Sequence, residues 1–346
     1  MLATVVHGLR DVRVEEVPDA RVEAPHDALV RVTHALVCGS DLWTYRGFGS
    51  RGPGSRIGHE FAGVVEAVGG DVTSVRPGDR VLSPFTYSDG TCAHCREGWT
   101  TSCTSGGFFG TDTDGGQGEA VRVPQADGTL VVLPTGLADG DPLVRALLPL
   151  TDVMATGHHA AVSAGVRSGS TAVVVGDGAV GLCGVLAAGR LGAERVIAVG
   201  HHPDRLELAR RFGATDVVTA RGPDAVREVR ALTAGARAHG VLECVGNQEA
   251  METAVGCTRD GGTVGFVGVP HEVAALPVGA MFSRNVGLRG GVAPVRRYLP
   301  DLLADVLAGR LDPSPVLDLD TDLAGVPDAY AAMDARRATK ALVRVG

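Results

Sequence analysis

With 346 residues, 21% of them charged, and a net charge of −8, the chain has length for two domains and carries no run of Lys or Arg. That balance argues against nucleic acid or an anionic membrane surface as the main partner, and no apolar stretch is long enough to cross a bilayer uninterrupted. The opening MLATVVHGLRDVRVEEVP has no charged segment leading into an apolar core, so no signal peptide is expected, and seven scattered cysteines then predict reduced thiols in a cytoplasmic protein.

Taken in chain order, the opening reads as two short strands at 5–6 and 12–17 joined by a Gly turn. ALVRVTHALV at 28–37, FAGVVEAVG at 61–69, RVLSPF at 80–85 and EAVRVP at 119–124 alternate as strands between Gly and Pro breaks. No long segment of helical period interrupts them, which predicts an all-β domain, a small barrel or sandwich. From about residue 155 the period changes. TAVVVG at 171–176 is a buried strand, 179–193 a helix, RVIAVG a strand, 203–214 a helix and DVV a strand. A helix at 224–235, a strand at 240–246, a helix at 249–261 and a strand at 262–269 follow. Strict alternation with short connections predicts an α/β domain with a doubly wound parallel sheet. The tail reads as helices at 298–311 and 326–338 and a closing strand at 340–345 that returns to the first domain. The predicted division is 1–153 with 293–346, and 154–292.

VVVGDGAVG places Gly176, Gly178 and Gly181 in G-x-G-x-x-G spacing between a strand and a helix, the context that makes the pattern informative. Gly176 permits the turn, Gly178 lets backbone approach a pyrophosphate, and Gly181 lets helix and strand pack closely. Ala179 and Val180 open a helix whose N–H groups and partial positive charge suit phosphates. The next strand ends at Gly200, where a carboxylate would hold the adenosine ribose of NAD. His201, His202 and Arg205 follow instead, which predicts NADP(H) with these three near the 2′-phosphate. In the alternative, the histidines form a solvated loop and Arg205 pairs with Glu207 or Asp204. The Asp177 side chain is expected to point away from the phosphates.

Cys183, Cys244 and Cys257 sit among apolar residues and read as core fillers, whereas the other four cysteines fall in the first third of the chain. Two motifs there, CGSDLWTYRG at 38–47 and GHEFAGVV at 58–65, carry a specific resemblance. With the dinucleotide pattern, the chain resembles the zinc-dependent medium-chain dehydrogenase/reductase (alcohol dehydrogenase) family over essentially its whole length. The resemblance implies a GroES-like β-barrel catalytic domain, a Rossmann domain, and interconversion of alcohols with aldehydes or ketones. It implies a catalytic zinc held by Cys38, His59 and Asp152, the last within LTDVMATGHHAA. Thiolate, imidazole and carboxylate all bind zinc, and three protein ligands leave a fourth position open. Glu60 would approach the metal or hold its surroundings. Ser40 would hydrogen-bond the substrate oxygen, and Asp41 would brace the loop or a ligand. Trp43 stands where many relatives carry a proton-relaying His, and an indole cannot relay.

The resemblance also implies a structural zinc. In SDGTCAHCREGWTTSC the family's four ligand positions fall on Asp89, Cys92, Cys95 and Cys103, with His94 competing for the Asp89 role. Lys340 would reach the cofactor phosphates or lie exposed at a strand end. Trp43, Tyr45 and Phe85 are candidate pocket walls. A homodimer or homotetramer through the edge near 286–291 is expected. Rival functions are an NAD-dependent polyol or amino-alcohol dehydrogenase, a zinc-free quinone or enone reductase, and a non-catalytic dinucleotide-binding protein.

Overall fold

The computed structural model describes residues 1–48, 52–138, 140–271 and 273–346. They form two compact units, Met1–Asp152 with Pro294–Gly346, and Val153–Ala293.

The first unit is organised on the ten-residue strand Ala28–Val37. Glu60–Val68 pairs antiparallel along it, and Arg80–Ser83 and then Val131–Val132 extend the sheet beyond. The other edge of Ala28–Val37 is shared: Ala120–Val123 pairs with Ala28–Arg31, and Ala341–Arg344 pairs with His34–Val37. Leu319–Asp322 completes the sheet in parallel with Ala341–Arg344. The tail therefore supplies strands to the N-terminal unit. Burial alternates over residues 28–31 of the central strand, but residues 32–37 and 60–63 are buried throughout, and Val30, Phe61, Phe109, Tyr330 and Val343 fill the core. Phe61 and Phe109 meet edge to face at 5.0 Å. The Tyr330 hydroxyl donates to Gln117 Oε1, whose amide nitrogen donates to the Leu36 carbonyl.

Register decides what the sheet presents at one end. Leu36 pairs with Glu60 and Val37 with Ala341. Cys38, His59, Glu60 and Lys340 thus lie beside one another where these three strands meet, although they are far apart in sequence. Short helices at Asp41–Tyr45, Ala93–Arg96 and Pro142–Leu147 are additions to the strand reading. Each is under two turns, too short to show a helical period.

In the second unit all six strands run parallel, in the order Asp216–Val218, Arg195–Val199, Thr171–Val175, Ala238–Glu243, Thr258–Phe266, Gly287–Gly290. This is the Rossmann order, winding outward both ways from the first strand. Helices Ala179–Arg190, Pro203–Arg211, Gly222–Leu232 and Gln248–Cys257 form the connections. The helix expected to run to Gly261 stops at Cys257, and Thr258–Gly261 already belong to the next strand. Arg284 closes that helix end by donating to the Val255 and Thr258 carbonyls. An arginine on C-terminal carbonyls stabilises a helix terminus, and no local pattern announces a cap supplied from so far along the chain. Val153–Ser163 packs on Ala179–Arg190 closely enough that a Cβ on Gly157 would lie 2.6 Å from the Gly184 nitrogen.

Candidate active site

Cys38 follows the central strand, His59 and Glu60 open its neighbour, and Asp152 follows the short turn Leu148–Thr151. All four are buried, and their ligating atoms lie within 4.8 Å of one another. Cys38 Sγ and His59 Nε2 are each 3.3 Å from Asp152 Oδ2. Asp41 braces two of these residues from behind: Oδ2 accepts the Cys38 N–H at 3.1 Å, and Oδ1 lies 3.2 Å from His59 Nδ1. That contact orients the imidazole and leaves Nε2 directed at the cluster, as second partners of metal-bound histidines do. Ser40 Oγ is 3.5 Å from His59 Nε2.

The electrostatics are those of a cation site. Asp41, Glu60 and Asp152 are all buried beside a thiol, with Lys340 as the permanent positive charge among them. Burial, then the Asp152 and Glu60 carboxylates, pushes the Cys38 thiol up to about 11. Burial works against charge on His59, yet Asp41, Cys38 and Asp152 raise it well above the ordinary histidine range. An environment that pulls a proton onto imidazole and withholds ionisation from a thiol has surplus negative charge. A divalent cation at the same point relieves both. Glu60 Oε2 is buried and has no hydrogen-bond partner among the described residues, a vacancy that a nearby cation would compensate. The donor set and this orphaned oxygen fit zinc.

Lys340 departs from expectation. It is 1% exposed, and its Nζ lies 2.5 Å from Glu60 Oε1 and 3.4 Å from the Val37 carbonyl. It is therefore neither an exposed strand end nor a ligand for the cofactor phosphates. The surrounding carboxylates hold it protonated against the effect of burial. One signal was available in composition: Lys340 is the chain's single lysine among 32 basic residues. Tyr45, expected as a pocket wall, is instead buried against Tyr330 in the core. Phe85 does adjoin the site, its ring edge-on to His59 at 6.1 Å and stacked on Phe108 at 6.0 Å. Trp43 lies against Phe48 and Arg46.

A second cluster joins Asp89, Cys92, Cys95 and Cys103, with ligating atoms again within 4.8 Å. Asp89 Oδ1 accepts the N–H groups of Thr91 and Cys92, and the Asp89 N–H points to Cys103 Sγ at 3.2 Å. Burial opposes ionisation of Asp89, but those N–H groups hold it down at about 2. Cys92 is lowered to about 7 by backbone N–H groups of Cys95 and Thr104. His94 is exposed and outside the cluster.

In the second unit, Gly176 has φ +115°, which favours glycine, and a Cβ on Gly181 would overlap the Gly176 carbonyl oxygen. A Cβ on Gly178 would meet nothing within 4 Å, so that face of the turn is open to an incoming group. The first bond of the following helix runs from Leu182 N–H to Gly178, so the N–H groups of Ala179, Val180 and Gly181 have no helical acceptor. These features fit a dinucleotide pyrophosphate. The Asp177 carboxylate folds onto the end of the strand Arg195–Val199 and accepts the N–H groups of His201 and His202. Glu207 pairs with Arg210.

Replacing Lys340 by Met should strand Glu60 as an uncompensated buried charge and cost about 3–5 kcal/mol in denaturant unfolding. Lys340→Met combined with Glu60→Gln should recover part of that loss.

Two family models match the chain: an alcohol dehydrogenase GroES-like domain over residues 24–135 and a zinc-binding dehydrogenase domain over 179–307. Zinc-type alcohol dehydrogenase B of Aspergillus flavus is 34% identical, over all of this chain and 82% of its own length. NADP-dependent isopropanol dehydrogenase of Clostridium beijerinckii is 33% identical over 86% of each chain. The solved alcohol dehydrogenase TADH of Thermus sp. ATN1 covers both chains fully, with a TM-score of 0.92 and 35% identity. With both domain models matched and these relatives spanning most of its length, the chain belongs to the zinc-dependent medium-chain dehydrogenase/reductase family of alcohol dehydrogenases.

Proposed function

We propose that the protein is a zinc- and NADP(H)-dependent oxidoreductase that transfers hydride between the cofactor and a small alcohol, aldehyde or ketone. The observation that carries this reading is the convergence of Cys38, His59 and Asp152 in a buried, negatively overcharged cluster. The chemistry that zinc supplies when bound is polarisation of a substrate oxygen, and the nicotinamide supplies hydride exchange.

The chain's own residues position and neutralise. Cys38, His59 and Asp152 would hold the metal, Asp41 fixes the first two, and Lys340 pairs with Glu60, partly offsetting the rise that burial imposes on that carboxyl. Ser40 Oγ, beside His59, is the hydroxyl placed to take the substrate proton. Trp43 cannot pass it on, so the relay runs through water. Phe85 offers an apolar wall to the substrate's carbon skeleton. Asp89, Cys92, Cys95 and Cys103 hold a second zinc that orders their lobe and does no chemistry.

On the cofactor side, the open face at Gly178 and the N–H groups of Ala179, Val180 and Gly181 take the pyrophosphate. His201, His202 and Arg205 read the 2′-phosphate, and the similarity to an NADP-dependent relative supports that choice. All seven cysteines are free, which suits a reducing cytoplasm. Among the described residues no helix is long and apolar enough to cross a membrane.

Assembly into a homodimer or homotetramer is part of the same reading. Gly287–Gly290 is an edge strand, and the adjacent helix Val278–Arg284 buries none of its residues, with Phe282 86% exposed. An edge strand beside an exposed apolar helix suits a second copy of the chain. Sedimentation should show a dimer or larger species that Phe282→Asp weakens, whereas a monomer at every concentration would refute this assembly.

Elemental analysis should find about two zinc ions per chain. Turnover of simple secondary alcohols should favour NADP+ over NAD+ by roughly tenfold or more in kcat/KM. His59→Ala should reduce kcat/KM by about 10³-fold or more, given several kcal/mol of Lewis-acid stabilisation lost. Zinc confined to the Asp89 lobe, with no turnover across a broad panel, would sink the proposal.

A further inference from the structure

Asp177 lies in the glycine-rich turn, but its carboxylate is spent elsewhere. Oδ2 accepts the His201 N–H at 2.7 Å and the His202 N–H at 2.9 Å. His202 Nδ1 lies 3.0 Å from Oδ2 and 3.1 Å from Oδ1. The Asp177 side chain is 9% exposed and that of His202 29%. The fit dictates the neighbouring residue: a Cβ on Gly200 would stand 2.6 Å from Asp177 Oδ2. Gly200 is thus bare because Asp177 occupies the space above it, and the strand end carries a carboxylate after all, delivered from another turn.

We propose that Asp177 is a positioning residue for cofactor discrimination: by holding His202 at Nδ1, it commits Nε2 of that ring to the 2′-phosphate of NADP(H). The proposal rests on the NADP(H) reading above.

The chemistry follows from the two ring nitrogens. An imidazole that donates Nδ1–H to a carboxylate has Nε2 as its one remaining polar site, on the side of the ring away from that carboxylate. The ring thus stands between Asp177 and the 2′-phosphate, bonding both and separating the two charges. The backbone is fixed by the same contacts. His202 caps the helix Pro203–Arg211, its carbonyl accepting the Leu206 N–H at 3.0 Å. Pinning the two N–H groups before it sets where the first turn, with Arg205, begins. With two N–H donors and the His202 ring on it, the carboxylate is poorly placed to receive ribose hydroxyls as well. Burial opposes its ionisation, but the His202 and His201 N–H groups outweigh that and lower it below the usual carboxylate range.

Calorimetric titration of the whole protein with adenosine 2′,5′-bisphosphate and with 5′-AMP isolates the extra phosphate without turnover. The wild type should bind the bisphosphate at least about tenfold more tightly. Asp177→Asn, which keeps the shape and removes the charge, should erase most of that factor and leave 5′-AMP affinity unchanged. His202→Gln, at a partly exposed position that leaves Asp177 its two backbone donors, should do the same. The double variant should lose no more than either single one. If the wild type shows no preference, the NADP(H) reading fails and the proposal with it. If the wild type prefers the bisphosphate and either variant keeps the preference, the proposal fails and the cofactor reading stands. Equal loss of both ligands in Asp177→Asn would make Asp177 a general cofactor or folding residue and overturn it.

Discussion

The first unit is organised around a buried excess of negative charge. Asp41, Glu60 and Asp152 converge on Cys38 and His59 where three strands end, and Lys340 alone gives a fixed positive charge in return. Buried charge is among the most expensive features a fold can hold. The response is written in the titration of the groups themselves: a thiol kept protonated and an imidazole driven to protonate. A divalent cation resolves this arrangement in one stroke. The sheet register sets up this arrangement, because pairing Leu36 with Glu60 brings Cys38 beside His59, and pairing Val37 with Ala341 brings Lys340 to Glu60.

Much of this was legible in the sequence. The change from alternating strands to strand–helix repeats falls near the division between the two units, and the motifs around Cys38 and His59 contain residues that the geometry brings together. Asp89 illustrates what the family resemblance carries: the carboxylate that falls at a thiolate's position in the family's ligand pattern lies among Cys92, Cys95 and Cys103 in space. What spacing cannot supply is direction. The lobe is held together by local backbone bonds around Asp89 and Cys103, so sequence neighbours are spatial neighbours.

Lys340 and Asp177 show the opposite case. Their partners come from remote segments, Glu60 280 residues away and His202 25 residues away. A lysine near a chain end and before a strand reads locally as solvated, and only the strand register buries it. Gly200 brings no charge of its own to the strand end, yet it is bare because the Asp177 carboxylate fills that position from the preceding turn. Side-chain direction at a turn depends on backbone that sequence periodicity does not encode. Tyr45 hides its burial for a related reason, since its helix is only five residues long and presents no period from which to choose a face.

The most direct measurement is diffraction from crystals of the protein as purified, at wavelengths above and below the zinc absorption edge. The account predicts an anomalous peak that appears only above the edge, within bonding distance of Cys38 Sγ, His59 Nε2 and an Asp152 oxygen. Density showing these three side chains apart, with no edge-dependent peak between them, would contradict it.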